Sequence, residues 1–188
     1  MGKLYFARHG QTVWNAENKI CGATDIALTT LGHEQADELG RLIAAGDYRI
    51  DEILYSPLIR AAETARHVHE ITGIPMRVEE RLREQNFGKW ESTQRGSAEF
   101  RAALAQFVNH NGDGESMMQL AQRIYNLLDE LRAQSRDRTY LLVAHNGIAR
   151  IVQSYFYDMT NEEFAFFGIG NCQVLDYIIK GKREEPDY

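Results

Sequence analysis

Cysteine and proline are scarce in this chain, with two of the first and three of the second in 188 residues. Cys21 and Cys172 lie far apart and outside any metal-ligand spacing, which argues against a disulfide-built scaffold or a structural zinc module and for a reducing, cytoplasmic setting. A single bridge between the two stays open. Long apolar runs are missing: no window approaches the roughly 20 residues of a membrane-spanning helix, and no basic segment leading into such a stretch marks the amino terminus. Positive charge is in deficit, 21 Lys and Arg against 27 Asp and Glu, for a net charge of −6. A nucleic-acid or anionic-membrane binder needs a general basic face, so neither partner is expected and any anion site must be local. Internal repeats and low-complexity tracts are also absent.

What remains is 44% hydrophobic and long enough to bury one core without staples. A single domain spanning 1–188 is expected. "LYFA" (4–7) reads as a buried strand, and "TTLGHEQADELGRLIAAG" carries Leu31, Ala36, Leu39, Leu42 and Ile43 at helical spacing up to Gly46. "IDEILYS" gives a second strand. "SPLIRAAETARHVHEITG" gives a second helix, with Ser56 as N-cap, Pro57 as its first residue and Gly73 at its end. "IPMRVEE" offers a third strand, and residues 81–114 an excursion over the site with a short helix near 99–108. The spacing of Met118, Leu120, Ala121, Ile124, Leu127, Leu128 and Leu131 makes a long helix over 115–133. "TYLLVAH" is the most apolar strand, "NGIARIVQSYFYDM" a helix behind it, "QVLDYII" a last strand, and "KGKREEPD" a charged tail. Alternating strands and helices predict an α/β fold, a three-layer α/β/α sandwich with a mostly parallel central sheet.

In such sheets ligands bind beyond the carboxyl ends of the strands. Arg8 and His9 follow the first strand, Arg60 opens the helix after the second, and His145 ends "TYLLVAH" just before Asn146 and Gly147 begin a helix. Two guanidiniums, two imidazoles and helix amino termini suit a tetrahedral dianion, and that ligand is phosphate. Gly10 and Gly147 are expected to let backbone donors approach its oxygens. His33, His67, His69 and His110 fit helix surfaces or loops and carry no assigned role. Trp90 and the cluster Tyr155, Phe156, Tyr157 read as core.

"RHGQT", "SPLIRAAETA", "LREQNFGKWE", "GDGES" and "VAHNGIAR" occur in the order seen in the histidine phosphatase superfamily, and the chain resembles its phosphoglycerate-mutase-like branch over 4–150, with a weaker extension to "GIGNCQVLDY". The resemblance implies a phosphoglycerate mutase-like fold and a phosphohistidine mechanism. His9 is then the nucleophile, Arg8 and Arg60 hold the equatorial oxygens, and His145 donates a further hydrogen bond. Glu84 becomes the general acid and base, a role that needs its neutral form near working pH, favoured by desolvation against Phe87 and Trp90. Glu79, Glu80 and Glu91 compete for that role. Asn15, Cys21, Gly22 and Asn146 are implied substrate contacts, and Ser116 a support behind the site. Neither metal nor cofactor is expected, because arginine and histidine neutralise the charge and no carboxylate cluster has ligand spacing.

Three activities compete. A phosphatase acting on a small phosphorylated metabolite is preferred. A cofactor-dependent phosphoglycerate mutase is the alternative: "ENKICGATD" resembles the mutase loop, but the long basic insertion is absent and Gln85 stands where those mutases carry arginine. A non-catalytic phosphate-binding module ranks last, since both histidines and the glutamate are present. Ser92 and Asn146 stand where relatives often have glycine, and the excursion after Trp90 is short, so an open pocket is expected.

Overall fold

Tyr140 to Ala144 are all buried, and this strand, whose residues face helices on both sides, sits at the middle of the sheet. In the computed structural model, which describes residues 2–134 and 138–179, the strands are β1 (Lys3–Arg8), β2 (Glu52–Tyr55), β3 (Met76–Val78), β4 (Tyr140–Ala144) and β5 (Val174–Ile178). They are ordered β3-β2-β4-β1-β5, parallel except for β5, which pairs antiparallel with β1. The tail, 180–188, lies outside the described residues.

The period-two alternation of each strand divides the core. Leu4, Phe6, Leu54, Tyr140, Leu142 and Ala144 pack with α5 (Met117–Gln134) and α6 (Asn146–Phe156). Tyr5, Ala7, Ile53, Leu141 and Val143 pack with α2 (Thr30–Ala45) and α3 (Ile59–Thr72) on the other face. The result is the expected three-layer α/β/α sandwich. Among the described residues no helix is long and apolar enough to cross a membrane.

Several elements differ from the sequence expectation, each for a physical reason. The buried stripe of α2 is Gly32, Ala36, Leu39, Gly40 and Ile43, while Leu31 and Leu42 face out at 46% and 51% exposure. Its two glycines turn inward because a Cβ at Gly32 would meet the Gln11 backbone and one at Gly40 the Ile71 side chain. α3 starts at Ile59, three residues after Ser56 and two after Pro57, and its first N–H groups are met from outside: Asp25 Oδ1 accepts from Ile59 N at 2.7 Å. Ser56 is drawn into the polar cluster described below. In α5 the inward methionine is Met117, and Met118 is 60% exposed. The excursion holds α4 (Ala98–Leu104) and two single 3-10 turns, Glu80–Leu82 and Gly88–Trp90. Two short helices, α1 (Val13–Ala16) and α7 (Asn161–Phe166), were not anticipated; both begin with a reciprocal capping box, Thr12 with Asn15 and Thr160 with Glu163.

Gly32 is the tightest of these contacts, since a Cβ there would lie 2.2 Å from the Gln11 carbonyl oxygen. Gly32→Ala gains about 1 kcal/mol of helix propensity but forces backbone apart at about 1–3 kcal/mol. The clash wins, so thermal denaturation should show a lowered midpoint; a rise would mean that the loop after β1 gives way freely.

Candidate active site

Parallel pairing of β1 with β4 and of β4 with β2 brings three strand ends to one edge. Arg8 is the last residue of β1, in register with Ala144, and the ladder continues one step as His9 N donates to Ala144 O at 2.9 Å. Ser56 N donates to Val143 O at 3.0 Å, so the residue after β2 arrives beside the residue after β4, His145. The rings of His9 and His145 lie 5.1 Å apart between centroids. Arg60, on the first turn of α3, enters the same cluster and is fully buried.

Each imidazole has a defined proton position. His9 Nδ1 lies 2.6 Å from the Gly10 carbonyl oxygen, which only accepts, so Nδ1 carries the hydrogen and Nε2 keeps its lone pair. Burial, then the Arg60 and Arg8 charges, hold its pKa well below the usual histidine range. A neutral, buried imidazole with one free nitrogen between guanidiniums can attack phosphorus. His145 Nδ1 accepts from Arg60 Nε at 3.2 Å, which leaves the hydrogen on Nε2, facing Ser56 Oγ at 2.7 Å. Burial, then the Arg60 charge, hold its pKa well below the usual histidine range as well. Both its ring nitrogens are engaged, so its direct contact is with the arginine.

Each Nη of Arg60 donates to a backbone carbonyl, one to Gly22 O at 2.7 Å and the other to Thr24 O at 2.9 Å. Arg8 donates from one Nη to Ile169 O at 2.7 Å, whereas its Nε is buried with no hydrogen-bond partner among the described residues. Such an N–H costs about 1–3 kcal/mol unless an acceptor meets it. Desolvation and the neighbouring Arg95 push the Arg8 pKa down to about 10. The cluster therefore concentrates cations with no carboxylate bound to either guanidinium among the described residues.

Glu84 is the carboxylate at the rim. It is 5% exposed, and its two oxygens accept from Gly147 N and Gln85 N, each at 2.9 Å. It lines a cavity of about 230 Å³ with Cys21, Phe87, Arg95, Arg101, Asn146, Gly147 and Arg150. Of the competing glutamates, Glu79 and Glu80 are ion-paired with Arg81 and Arg83. Trp90 does not line this cavity and packs on Phe100.

Other expected contacts serve different ends. Asn15 closes the cap of α1, its Oδ1 accepting from Thr12 N at 3.1 Å. Asn146 lines the cavity and accepts from Ile169 N at 2.9 Å. Cys21 is buried, and desolvation raises its thiol pKa, which fits a packed residue. Gly22 N donates to Glu91 at 3.1 Å. The N–H groups of Gly10 and Gly147 are likewise taken, by Thr64 and Glu84, so both glycines serve close packing, the former against Gly32 and the latter against Glu84. Ser116 is buried and caps the start of α5, accepting from Gln119 N at 3.3 Å.

Three participants escaped the sequence reading. Glu91 gathers the N–H groups of Gly22, Ala23, Thr24 and Phe87 and the Thr24 hydroxyl, shaping the loop whose carbonyls hold Arg60. Asn171 donates to His9 O at 2.8 Å from the loop before β5. Arg150 lines the cavity, donating to Phe167 O at 3.1 Å. Only its place one turn into the helix after His145 could have pointed to it.

Comparison with known proteins gives a consistent result. The family model of the histidine phosphatase superfamily (branch 1) matches residues 4–187. A probable phosphoglycerate mutase GpmB of Erwinia tasmaniensis is 29% identical over 181 residues, 93% of this chain and 83% of that protein. The mycobacterial glucosyl-3-phosphoglycerate phosphatase in complex with VO3 superposes with a TM-score of 0.81 at 28% identity, covering 93% of this chain and 90% of that one. A phosphoserine phosphatase from Entamoeba histolytica, in complex with 3-phosphoglyceric acid, gives 0.81 at 29% identity, covering 95% and 91%.

The two depressed imidazoles make stability depend on pH. Below about pH 6.5 the unfolded chain binds protons at both positions that the folded chain refuses, so stability falls as pH drops from 7 toward 5, by about 1 kcal/mol per pH unit for each histidine. Denaturant titrations across that range should show the slope, and His9→Gln should reduce it by about half. An unchanged slope would mean that His9 accepts its proton in the folded state.

Proposed function

This chain belongs to the histidine phosphatase superfamily, and from that premise we propose that it hydrolyses phosphomonoesters of small metabolites through a phosphohistidine at His9. The observation that carries the reading is the setting of His9: Nδ1 lies 2.6 Å from Gly10 O, which assigns the hydrogen there and leaves Nε2 its lone pair, while burial and the charges of Arg60 and Arg8 keep the ring neutral. Nε2 attacks phosphorus in line, the P–O ester bond breaks, and its electron pair leaves with the alcohol oxygen, to which Glu84 delivers a proton. Water then attacks the phosphohistidine, Glu84 takes its proton, and phosphate departs with His9 restored. The buried Nε–H of Arg8 gains an acceptor when a phosphoryl oxygen arrives, and Arg60 adds the second charge. His145 acts through Arg60, whose Nε it orients.

The cavity beside Glu84 extends the reading to the leaving group. Arg95, Arg101 and Arg150 all line it, which favours a leaving group carrying a carboxylate, as in phosphorylated hydroxy acids. These same three cations favour the alternative, a mutase that holds a second anionic group while the phosphoryl returns to it. We place the activity in the cytoplasm and on a single domain.

Three assays test the proposal. His9→Ala should remove phosphate release and the acid-labile phosphate trapped on the protein in mid-turnover; phosphate carried elsewhere, or turnover unchanged, overturns it. Glu84→Gln should slow an alkyl phosphate about 10²–10⁴-fold and a p-nitrophenyl ester far less, because only the former needs a proton on its leaving oxygen. With 3-phosphoglycerate and its bisphosphate primer, phosphate release should outpace isomer exchange, and the reverse would make the chain a mutase.

A further inference from the structure

His33 and Asp37 lie four residues apart on α2, Glu63 and His67 four apart on α3, and the packing of these two helices sets both pairs face to face. His33 Nδ1 and His67 Nε2 approach to 2.9 Å. A Glu63 carboxylate oxygen joins them, all three ligand atoms lying within 4.8 Å of one another. The fourth residue stands behind: Asp37 Oδ1 is 2.6 Å from His67 Nδ1. That carboxylate fixes the hydrogen of His67 on Nδ1 and turns the Nε2 lone pair toward His33 and Glu63, the outer arrangement that accompanies histidines bound to metal. All three facing residues are half-buried, so an ion can enter while part of its hydration is replaced.

We infer that His33, His67 and Glu63 form a binding site for a divalent transition-metal ion of the zinc class, separate from the His9 cluster and clipping α2 to α3. Two imidazoles and one carboxylate are a donor set that zinc takes readily, with water in the fourth position. Tetrahedral zinc with bonds of about 2.0–2.1 Å needs its ligand atoms about 3.3 Å apart, so the two nitrogens move apart by a few tenths of an ångström. His33 then carries its hydrogen on Nε2 in place of Nδ1, a tautomer change with no net proton release. Arg66 binds Glu63 Oε2 at 2.6 Å and Glu70 Oε1 at 2.7 Å, so it keeps a carboxylate partner if Glu63 turns to the ion. The clip would lie one helical turn from Arg60 and beside Thr64, whose hydroxyl accepts from Gly10 N.

The test uses tag-free full-length protein freed of metal by a chelator and titrated with ZnCl2 by calorimetry, with Co2+ as a spectroscopic probe. One Zn2+ per chain should bind, visible d–d bands of tetrahedral intensity should appear with Co2+, and the thermal midpoint should rise by about 5–10 °C at a hundredfold excess over Kd. His33→Gln and Glu63→Gln, both at half-buried positions outside the His9 cluster, should each weaken binding at least about tenfold and leave metal-free phosphatase turnover unchanged, and His9→Ala should bind as the wild type does. Absence of binding up to millimolar Zn2+ overturns the inference. So does full-strength binding in His33→Gln and Glu63→Gln together, or its loss in His9→Ala, which would put the ion at the His9 cluster.

Discussion

A fully buried guanidinium governs this structure. Arg60 makes no ion pair among the described residues and is held instead by two backbone carbonyls and an imidazole nitrogen. Carbonyl dipoles offset part of the cost of removing a cation from water but leave its charge uncancelled, and that charge is felt at once by the neighbours: it is among the main causes of the lowered pKa of both His9 and His145. Everything around Arg60 is arranged to tolerate it. The loop of Gly22 to Thr24 aims its oxygens inward because Glu91 collects its N–H groups, and Ser56 Oγ meets His145 Nε2 at 2.7 Å while accepting from Leu58 N at 3.3 Å.

The sheet order makes this cluster possible with little chain. Because β4 inserts between β1 and β2, the residues immediately after all three strands become neighbours without long loops, and their backbone positions are pinned by ladder hydrogen bonds such as His9 N to Ala144 O. A nucleophile on a strand end is placed more rigidly than one on a free loop. The antiparallel β5 adds a second restraint, since the turn before it brings Asn171 to the His9 carbonyl and Ile169 to Arg8.

Residues with strong side-chain chemistry were legible in the sequence: Arg8, His9 and His145 stand at strand ends, Arg60 on the first turn of α3 and Glu84 in the excursion, and the sandwich follows from the alternation of elements. Close backbone approach was not legible. Hydrophobic spacing put Leu31 and Leu42 in the core, but Gly32 and Gly40 hold that face because only they fit against the loop after β1 and against α3. Ser56 looks like a cap by type; its hydroxyl does accept from Leu58 N, just ahead of α3, but its shorter contact, 2.7 Å, is with His145, which lies outside its own element. Glu91 resembled a rival to Glu84 because a carboxylate that bonds backbone and one that faces a cavity are identical in sequence. The capping box at Thr160 was readable and was passed over.

Glu91 also limits how this chain can be diversified. One side chain belonging to the excursion fastens both Phe87 beside it and the segment 22–24 that cradles the central cation. A cover transplanted from a homologue to alter substrate preference would sever that tether unless it brought a glutamate to the same spot, and the cradle would slacken with it. Exchange of the cover in this protein therefore has to proceed as a matched swap of two distant stretches of chain.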